Sequence, residues 1–264
     1  MIFNMISKLN KFFYLLNFIF NKVGEDYSIS LITKAYIVLK IYKNCKDPRI
    51  ASSFMENIFL AKRIMSIPAD LPGNIAEFGS YKGISSANLS LVCKLTNRKL
   101  FIFDSFSGLP GTQEIVSGIA DGKIIGYEKH DYMGQLDEVE QNITKLGKVE
   151  VCEFISGYFD ESLPIFPKGE KFLLIFEDAD LPSSVRTVIK YCWPLLHDGC
   201  YYFYHEARDR EVVKIFFDDD WWEKTLKCKP PGMVGSGIGL PLDKNLGPFD
   251  ELAGSYIGYA LKKS

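Results

Sequence analysis

The sequence predicts an α/β fold, with a mostly parallel sheet covered by helices on both faces and a helical extension before it. From residue 74 onward, short apolar runs alternate with stretches whose apolar residues recur at helical spacing. The first 66 residues show helical spacing alone. A length of 264 residues and a hydrophobic content of 47% suffice for a sizeable core.

The predicted extension covers residues 1–70 and begins with an apolar run, FFYLLNFIF, at residues 12–20. This run is too short to cross a bilayer, which takes about 20 residues. A helix docked on the core or on a second subunit is the favoured interpretation. A helix in a membrane interface, contacting it through residues 1–22, is the alternative. No small-residue cleavage site follows the run, so a signal peptide is not expected.

Further helices are predicted over 28–45 and 48–66, and SIPADLPGN then marks a boundary to a second unit, residues 71–264. The strands of that unit are predicted at 74–78, 100–104, 149–154, 172–177 and 200–204, with an edge strand at 256–261. The helices between them are predicted at 85–95, 135–146 and 183–195. Ligands bind outside the carboxyl ends of such strands, so the strand ends are the candidate site.

The end of the first strand reads NIAEFGSYKGIS and carries the pattern E-x-G-x-x-x-G, from Glu77 through Gly79 to Gly83. It lacks the G-x-G-x-x-G spacing that receives a diphosphate, and an acid there suits a cationic amino group. The second strand ends at Asp104, where a carboxylate can accept the hydroxyls of a ribose. Together they predict a site for a nucleoside without a diphosphate, and S-adenosylmethionine is the best candidate.

Acids and an imidazole end the fourth and fifth strands: Glu177, Asp178 and Asp180 on one, His205 and Glu206 on the other. If these strands are adjacent and parallel, the side chains converge on one rim. Carboxylates and an imidazole can hold a divalent cation such as Mg²⁺ or Mn²⁺. The structural alternative is that these acids cap helices or form surface pairs.

The composition excludes some partners. A net charge of −2 and a pI of about 6.0 leave no basic excess, so nucleic acid is not expected and a small molecule is. The six cysteines lack CxxC spacing, which argues against a zinc site or a disulfide framework and favours the cytoplasm. Membrane association through the N-terminal helix is the alternative location.

Five segments occur in an order that resembles the macrocin O-methyltransferase (TylF/MycF-like) family over roughly residues 48–220: NIAEFGSYKGISS, IFDSFSGLPG, GQLDEVEQNITKLG, GYFDESLP and EDADLPSSVRTVIKYCWPLLHDG. The resemblance implies a Rossmann-like class I methyltransferase sheet and S-adenosylmethionine as cofactor. It also implies methyl transfer to a hydroxyl of a sugar, glycan or glycosylated metabolite, commonly with Mg²⁺. Separately, a homo-oligomer is expected.

The resemblance also implies site residues. The cofactor contacts that it implies are Glu77, Gly79, Ser80, Gly83, Asp104 and Ser105. Further cofactor contacts are expected at Ser85, Phe106, Tyr158 and Phe159. Asp178 matches the first metal-binding aspartate of the family. The chain departs from the family at His205-Glu206, where an Asp-Asp pair is usual, and at Leu181-Pro182, in the region of a tyrosine.

Two mechanisms therefore stay open, with Asp178 and His205 as the catalytic residues. Asp178, His205 and Glu206 hold a divalent cation that acidifies the acceptor hydroxyl, or His205 is itself the base. His130 is a third acid/base candidate, more often a bystander in such a loop, whereas His197 is expected at a helix C-terminus.

Two alternative functions come from other classes: a nicotinamide-dependent oxidoreductase, and a nucleoside-binding homologue without catalytic activity.

Near the C-terminus, Trp221 or Trp222 is a candidate to stack on a sugar, with burial as the alternative for at least one of them. The alternating Gly235, Gly237 and Gly239 predict either a mobile flap or a tight connection into the last strand.

Overall fold

The computed structural model describes residues 2–242 and 255–263. The helices are α1 (Ile2–Phe20), α2 (Leu31–Asn44), α3 (Phe54–Met65), α4 (Ile84–Leu95), α5 (Leu136–Leu146), α6 (Phe159–Ser162), α7 (Pro182–Cys192), α8 (Arg210–Ile215) and α9 (Asp219–Leu226). The strands are β1 (Asn74–Phe78), β2 (Leu100–Asp104), β3 (Ile115–Ser117), β4 (Ile124–Gly126), β5 (Cys152–Ser156), β6 (Phe172–Glu177), β7 (Leu196–Tyr204) and β8 (Gly258–Leu261).

The central sheet has the order β5-β2-β1-β6-β7-β8. Its first five strands pair in parallel, and β8 runs antiparallel to β7 at the edge. The chain moves outward from β1 through β2 to β5 and then returns to the other side of β1 with β6. The loops after β1 and β6 therefore diverge and open a crevice at the carboxyl ends of the strands. The predicted α/β fold with a mainly parallel sheet is confirmed.

The core lies between this sheet and its helices. All six residues of β6 and all five of β2 are buried. Phe78 of β1 stacks on Phe103 of β2 with 4.5 Å between ring centroids. A fully buried side chain of this size contributes about 1.5–3 kcal/mol relative to an exposed one, so the aromatic strands anchor the layer beneath the crevice.

The N-terminal helices join the same core. Phe18 of α1, Ile41 of α2 and Ile58 of α3 are all fully buried in it. The guanidinium of Arg98 ties the linker after α3 to the sheet domain, because it donates to the backbone oxygens of Pro68, Leu71 and Gly73. The extension is therefore packed against the sheet domain through these residues and through the linker after α3.

The outer face of the extension carries exposed apolar side chains, among them Phe12, Phe13 and Phe20 of α1 and Ile32 and Leu39 of α2. Among the described residues, no helix has both the length and the apolar character needed to span a bilayer.

Some boundaries differ from the sequence-based expectation. A 3₁₀ turn over Val149–Val151 displaces the third parallel strand to Cys152–Ser156. The prediction for His197 is wrong: α7 ends at Cys192, and β7 already begins at Leu196, which pairs with Phe172. The short hairpin β3–β4 and the helices α8 and α9 were not predicted.

The described part of the glycine-rich segment forms a tight irregular connection. The amide of Gly237 donates to the backbone oxygen of Ala207 at 2.7 Å, and Val234 forms a bridge with Tyr259 of β8. The continuation toward the last strand, residues 243–254, lies outside the described residues.

Candidate active site

A cavity of about 670 Å³ opens at the carboxyl ends of β1, β2, β6 and β7. Seven of the ten predicted cofactor residues line it: Gly79, Ser80, Ser85, Asp104, Ser105, Tyr158 and Phe159. Asp178, Asp180, His205 and Glu206 line it as well. Residues 49–52, between α2 and α3, complete one wall, so the N-terminal extension contributes to the cavity. The other three predicted cofactor residues, Glu77, Gly83 and Phe106, do not line the cavity.

The glycines of the loop after β1 are required by packing. Gly79 has φ +82°, and a Cβ there would overlap the backbone oxygen of Asp178. Gly83 caps α4 with φ +75°, and a Cβ there would lie 2.9 Å from Cγ1 of Val139. The E-x-G-x-x-x-G pattern thus holds the loop close to β6 and α5, and this close approach shapes the cavity wall.

Glu77 lies behind that wall rather than on it. Its side chain is fully buried in the centre of the sheet. Burial raises the pKa of Glu77 to about 8, while the nearby hydroxyls of Ser85 and Ser86 act in the opposite direction. Ser85 lines the cavity and interacts through its side chain with the Glu77 carboxyl, so it links Glu77 to the cavity wall.

The carboxylate of Asp104 already accepts hydrogen bonds from groups of the protein itself. Its Oδ2 accepts from the amide of Ser80 at 2.7 Å and from the hydroxyl of Ser80 at 2.9 Å, and its Oδ1 accepts from the amide of Phe106 at 2.8 Å. Burial raises the pKa of this carboxyl, against these hydrogen bonds. Asp104 therefore joins the loops after β1 and β2, and only its remaining acceptor capacity is open to a ribose.

The ends of β6 and β7 bring Asp178 and His205 together, as their parallel pairing predicts. Nδ1 of His205 lies 3.2 Å from Oδ1 of Asp178. On the other side of the ring, Nε2 lies 3.7 Å from Oε2 of Glu56, a buried residue of α3. Burial alone would lower the pKa of His205, but the two carboxylates raise it well above its ordinary value. Sequence reasoning missed Glu56.

Glu206 completes a candidate cation site with Asp178 and His205. One ligand atom from each of the three lies within 4.8 Å of the others. Oε2 of Glu206 is buried and has no hydrogen-bond partner among the described residues. Burial and then repulsion from Asp178 raise the pKa of both Glu206 and Asp180 well above the ordinary range. Buried acids in such excess are stabilised by a positive charge.

These residues fit a divalent cation. Two carboxylates and one imidazole are donors that Mg²⁺, Mn²⁺ and related ions accept. The Asp178–His205 separation of 3.2 Å would let both side chains contact one ion. His205 and Glu206 are therefore the donors at the end of β7 that would hold such an ion together with Asp178.

A tyrosine-rich wall faces the cavity and was not predicted. Tyr81 contacts Tyr132 edge-to-face, with 5.9 Å between ring centroids, and Tyr127 lies 6.5 Å from Tyr132. All three line the cavity. The segment from Tyr127 to Tyr132 directly follows β4 of the hairpin. The only sequence signal for this wall was the pair of tyrosines in GYEKHDYMG.

The hairpin β3–β4 is fixed at two points. The carboxylate of Glu114, just before β3, accepts hydrogen bonds from the amide and the hydroxyl of Ser183 at the start of α7. The amide of Ser117 donates to Glu211 of α8 at 2.7 Å. The hairpin is thereby attached to the helices that follow β6 and β7.

The other aromatic and histidine candidates lie elsewhere. Trp222 is fully buried against Trp193, and Trp221 lies beneath the guanidinium of Arg186. Neither tryptophan lines the cavity, so the sugar-stacking prediction is wrong, whereas the burial alternative holds for Trp222. His130 is exposed, with its Nδ1 2.8 Å from the backbone oxygen of Ser107, and is not among the lining residues.

Comparisons with known proteins agree with this geometry. The family model for macrocin-O-methyltransferase (TylF) matches residues 52–223. The fold resembles the O-methyltransferase NovP, with a TM-score of 0.59, 16% identity, and coverage of 80% of this chain and 81% of that one. It also matches CalS11, a calicheamicin methyltransferase, with a TM-score of 0.47, 15% identity, and coverage of 73% and 84%. A search of curated proteins gives no match.

The family match spans more than half of the chain and includes the loops after β1, β2, β6 and β7 that build the cavity. It removes the oxidoreductase alternative and confirms the predicted methyltransferase class. The chain belongs to the macrocin-O-methyltransferase (TylF) family and is an S-adenosylmethionine-dependent O-methyltransferase.

Proposed function

We propose that this enzyme methylates a hydroxyl of a sugar, glycan or glycosylated metabolite. The observation that carries the proposal is a single cavity with two kinds of wall. The loops after β1 and β2, with Ser80, Asp104 and Ser105, are suited to the cofactor. The tyrosine-rich wall and the Asp178–His205 pair are suited to a polar acceptor with an apolar face, as a sugar ring has.

The reaction requires little of the protein beyond positioning and proton removal. The acceptor oxygen attacks the sulfonium methyl of S-adenosylmethionine, its O–H bond breaks, and a methyl ether, S-adenosylhomocysteine and a proton result. The acceptor oxygen must lie in line with the methyl group at roughly 3–3.5 Å. Tyr127 and Tyr132 would orient the acceptor, and the rim formed by Asp178, His205 and Glu206 would face its hydroxyl.

Of the two mechanisms, the cation-assisted one is better supported. A general base needs a nitrogen lone pair directed at the acceptor, yet each ring nitrogen of His205 faces a carboxylate, Asp178 or Glu56. We propose that Asp178, His205 and Glu206 hold a divalent cation. When bound, such a cation lowers the pKa of a hydroxyl that it contacts.

The test is transfer of a labelled methyl group from S-adenosylmethionine to a panel of nucleotide sugars, glycosides and glycans. It is run after chelation and again after Mg²⁺ or Mn²⁺ is restored. We expect turnover on at least one sugar hydroxyl, its loss with chelator and its recovery with the ion. Turnover on non-sugar hydroxyls alone would contradict the acceptor class. Binding of S-adenosylhomocysteine without any turnover would instead favour the catalytically inactive homologue.

We also propose that the outer face of the extension contacts an anionic membrane. Residues 1–50 contain eight Lys and Arg and three Asp and Glu, a net charge of +5, whereas the remainder of the chain carries −7. Exposed Phe13, Phe20 and Ile32 lie within this basic region. A second copy would bring like charge to the same face, so a homo-oligomer, also expected, would use another surface.

Sedimentation with vesicles tests the membrane proposal. We expect binding to vesicles with anionic lipid and weaker binding to neutral ones or at high salt. Phe13→Ser combined with Ile32→Ser should reduce it. Equal binding to both vesicle types would contradict the charge argument.

All six cysteines are free, which fits the proposed cytoplasmic location.

A further inference from the structure

The exposed face of α2 is apolar along most of its length. Ile32, Tyr36 and Leu39 recur on this face at helical spacing, and they are 83%, 56% and 59% exposed. At 1.5 Å per residue, the three side chains cover about 10 Å of the helix. Contiguous exposed apolar surface of this kind commonly marks the place where a protein meets a membrane, a ligand or another chain.

Basic side chains continue this apolar face toward the cavity. Lys43 lies on the same face, seven residues after Tyr36, and the exposed Lys46 and Arg49 follow it. Nζ of Lys46 lies 4.6 Å from the centroid of the Tyr42 ring, so this cation stays beside the end of α2. Arg49 lines the cavity. Along the chain, an apolar surface is therefore followed by a basic one and then by the cavity.

The segment that joins α2 to the cavity is held at both ends. The side-chain amide of Asn44, the last residue of α2, donates to Oδ1 of Asn88 in α4 at 2.8 Å. Asn88 lies three residues after Ser85, which lines the cavity, and three residues of helix rise about 4.5 Å. At the other end, Nη1 of Arg49 lies 3.4 Å from Oε1 of Glu138 in α5. The carboxyl end of α2 consequently lies beside the cavity in space as well as in sequence.

An amphiphilic molecule with the same order of parts fits this surface. A lipid chain matches the apolar face, a sugar matches the cavity, and a phosphate that joins the two matches the basic residues between them. Arg49 is already paired with Asp47 and Glu138. Lys43 and Lys46 are therefore the cations that would meet the phosphate.

We propose that the acceptor is a sugar joined to a membrane lipid through a phosphate, and that α2 lies at the membrane surface and presents this acceptor to the cavity. The inference rests on the proposed function and narrows it from sugar acceptors in general to a membrane-bound class. The bonds made and broken are those of methyl transfer to the sugar hydroxyl, and the phosphate is unchanged. The reaction that joins the sugar to the lipid phosphate must then precede methylation.

The first experiment measures binding of the full chain to phosphatidylcholine vesicles that contain decaprenyl phosphate, by sedimentation and without using activity. Ile32→Ser combined with Leu39→Ser should weaken binding at least about tenfold, because the membrane then covers less apolar surface. Ile165 lies in the segment before β6, is 84% exposed and is not among the lining residues, so Ile165→Ser is the matched control. Its binding should equal that of the wild type. Equal binding by the double variant and the wild type would overturn the role of α2.

The second experiment compares methyl transfer to one sugar in three forms, using the sugar on which the acceptor panel gives turnover. The forms are the sugar on decaprenyl phosphate in vesicles, the sugar phosphate in solution, and a long-chain alkyl glycoside in vesicles. We expect kcat/KM on the first form to exceed that on each of the others at least about tenfold.

Charge removal tests the lysines in the same assay. Lys43→Gln combined with Lys46→Gln should lower the ratio of kcat/KM on the lipid phosphate to kcat/KM on the alkyl glycoside about tenfold, because the phosphate loses two cations. Lys168→Gln is the matched control, since Lys168 is exposed and lies outside the cavity lining, and it should keep the wild-type ratio. An unchanged ratio in the double variant would overturn the assignment of the phosphate to these lysines.

The outcomes separate this inference from the proposed function. Equal kcat/KM on the lipid phosphate and the soluble sugar phosphate would overturn the role of the lipid and leave methylation of a sugar standing. Equal kcat/KM on the lipid phosphate and the alkyl glycoside would overturn the role of the phosphate. No methylation of any of the three forms would remove the proposed function and this inference with it. If the serine double variant changes the mass of the protein in solution but not its binding to vesicles, the apolar face belongs to a second copy of the chain, and the inference fails.

Discussion

Replacing Asp104 with alanine should weaken both the fold and cofactor binding, and the structure gives the size of each effect. The carboxylate accepts three hydrogen bonds, two from Ser80 and one from Phe106. Hydrogen bonds to a charged acceptor are worth about 1.5–3 kcal/mol each. The cost of burying the carboxylate, which also raises its pKa, offsets part of that total. We expect a net loss of about 2–4 kcal/mol in the free energy of unfolding.

Cofactor affinity should fall as well, if Asp104 also binds the ribose. One lost charged hydrogen bond of about 1.5–3 kcal/mol corresponds to roughly 10–150-fold weaker binding of S-adenosylhomocysteine. The assays are urea denaturation and calorimetry with S-adenosylhomocysteine on the folded variant. The reasoning about the ribose is refuted by wild-type affinity in Asp104→Ala. The reasoning about the loops is refuted by a stability change below about 1 kcal/mol.

Asp218→Ala is the matched control for Asp104→Ala. Asp218 caps α9 by accepting from the amide of Trp221 at 3.1 Å, and it is not among the residues that line the cavity. Its loss should cost about 1 kcal/mol of stability and leave cofactor affinity unchanged. The pair of variants therefore separates an effect on the ligand from a general effect of lost stability.

Three further predictions follow from the site. His205→Ala should abolish turnover while S-adenosylhomocysteine binds within a few fold of wild type, and His197→Ala should retain full activity; turnover by the first variant would exclude its proposed role. Because the pKa of Glu77 is raised to about 8 by burial, its ionisation opposes folding. The free energy of unfolding should thus fall as the pH rises from about 4.5 to 8, by at most roughly 1.4 kcal/mol per pH unit from this group. Glu77→Gln should flatten this fall, measured as urea midpoints against pH. Parallel midpoint profiles for the wild type and the variant would contradict the pKa assigned to Glu77. Gly79→Ala should destabilise the fold by several kcal/mol because the new Cβ overlaps the backbone of Asp178. Gly122→Ala is the control: its φ is also positive, +66°, but the space around it is open, so it should cost about 1 kcal/mol in the same denaturation assay. Equal losses of stability in the two variants would exclude the steric cause.

The sequence was sufficient for the sheet and for one rim of the cavity. β6 could be predicted because its sequence, FLLIFE, is a run of apolar residues that ends in an acid, and all six residues are buried in the structure. The end of this strand then placed Asp178 beside His205. That inference needs only parallel pairing, which the alternation of strands and helices indicates. The glycines of the first loop were also recognised, although close packing is what requires them: Gly79 lies against the backbone of Asp178 and Gly83 against Val139.

The rest depends on contacts between distant segments, which no local pattern indicates. Glu56 reads as an ordinary helix-capping acid, and only the packing of α3 brings it to His205. Tyr132 reads as part of a polar loop, and only the attached hairpin brings it to the cavity. His197 follows a helical pattern that ends three residues early, because strand pairing with Phe172 begins at Leu196.

The attachment of the hairpin β3–β4 bears on how such an enzyme can change its substrate. Its anchors, Glu114 and Ser117, are distinct from the tyrosines that follow β4, and both are distinct from the acids at the ends of β6 and β7. Neither Tyr127 nor Tyr132 takes part in the hydrogen bonds that anchor the hairpin. Acceptor preference in this chain can therefore change in evolution, or be engineered, by replacing the short segment that carries Tyr127 and Tyr132. The residues at the ends of β6 and β7, which serve methyl transfer, would stay the same.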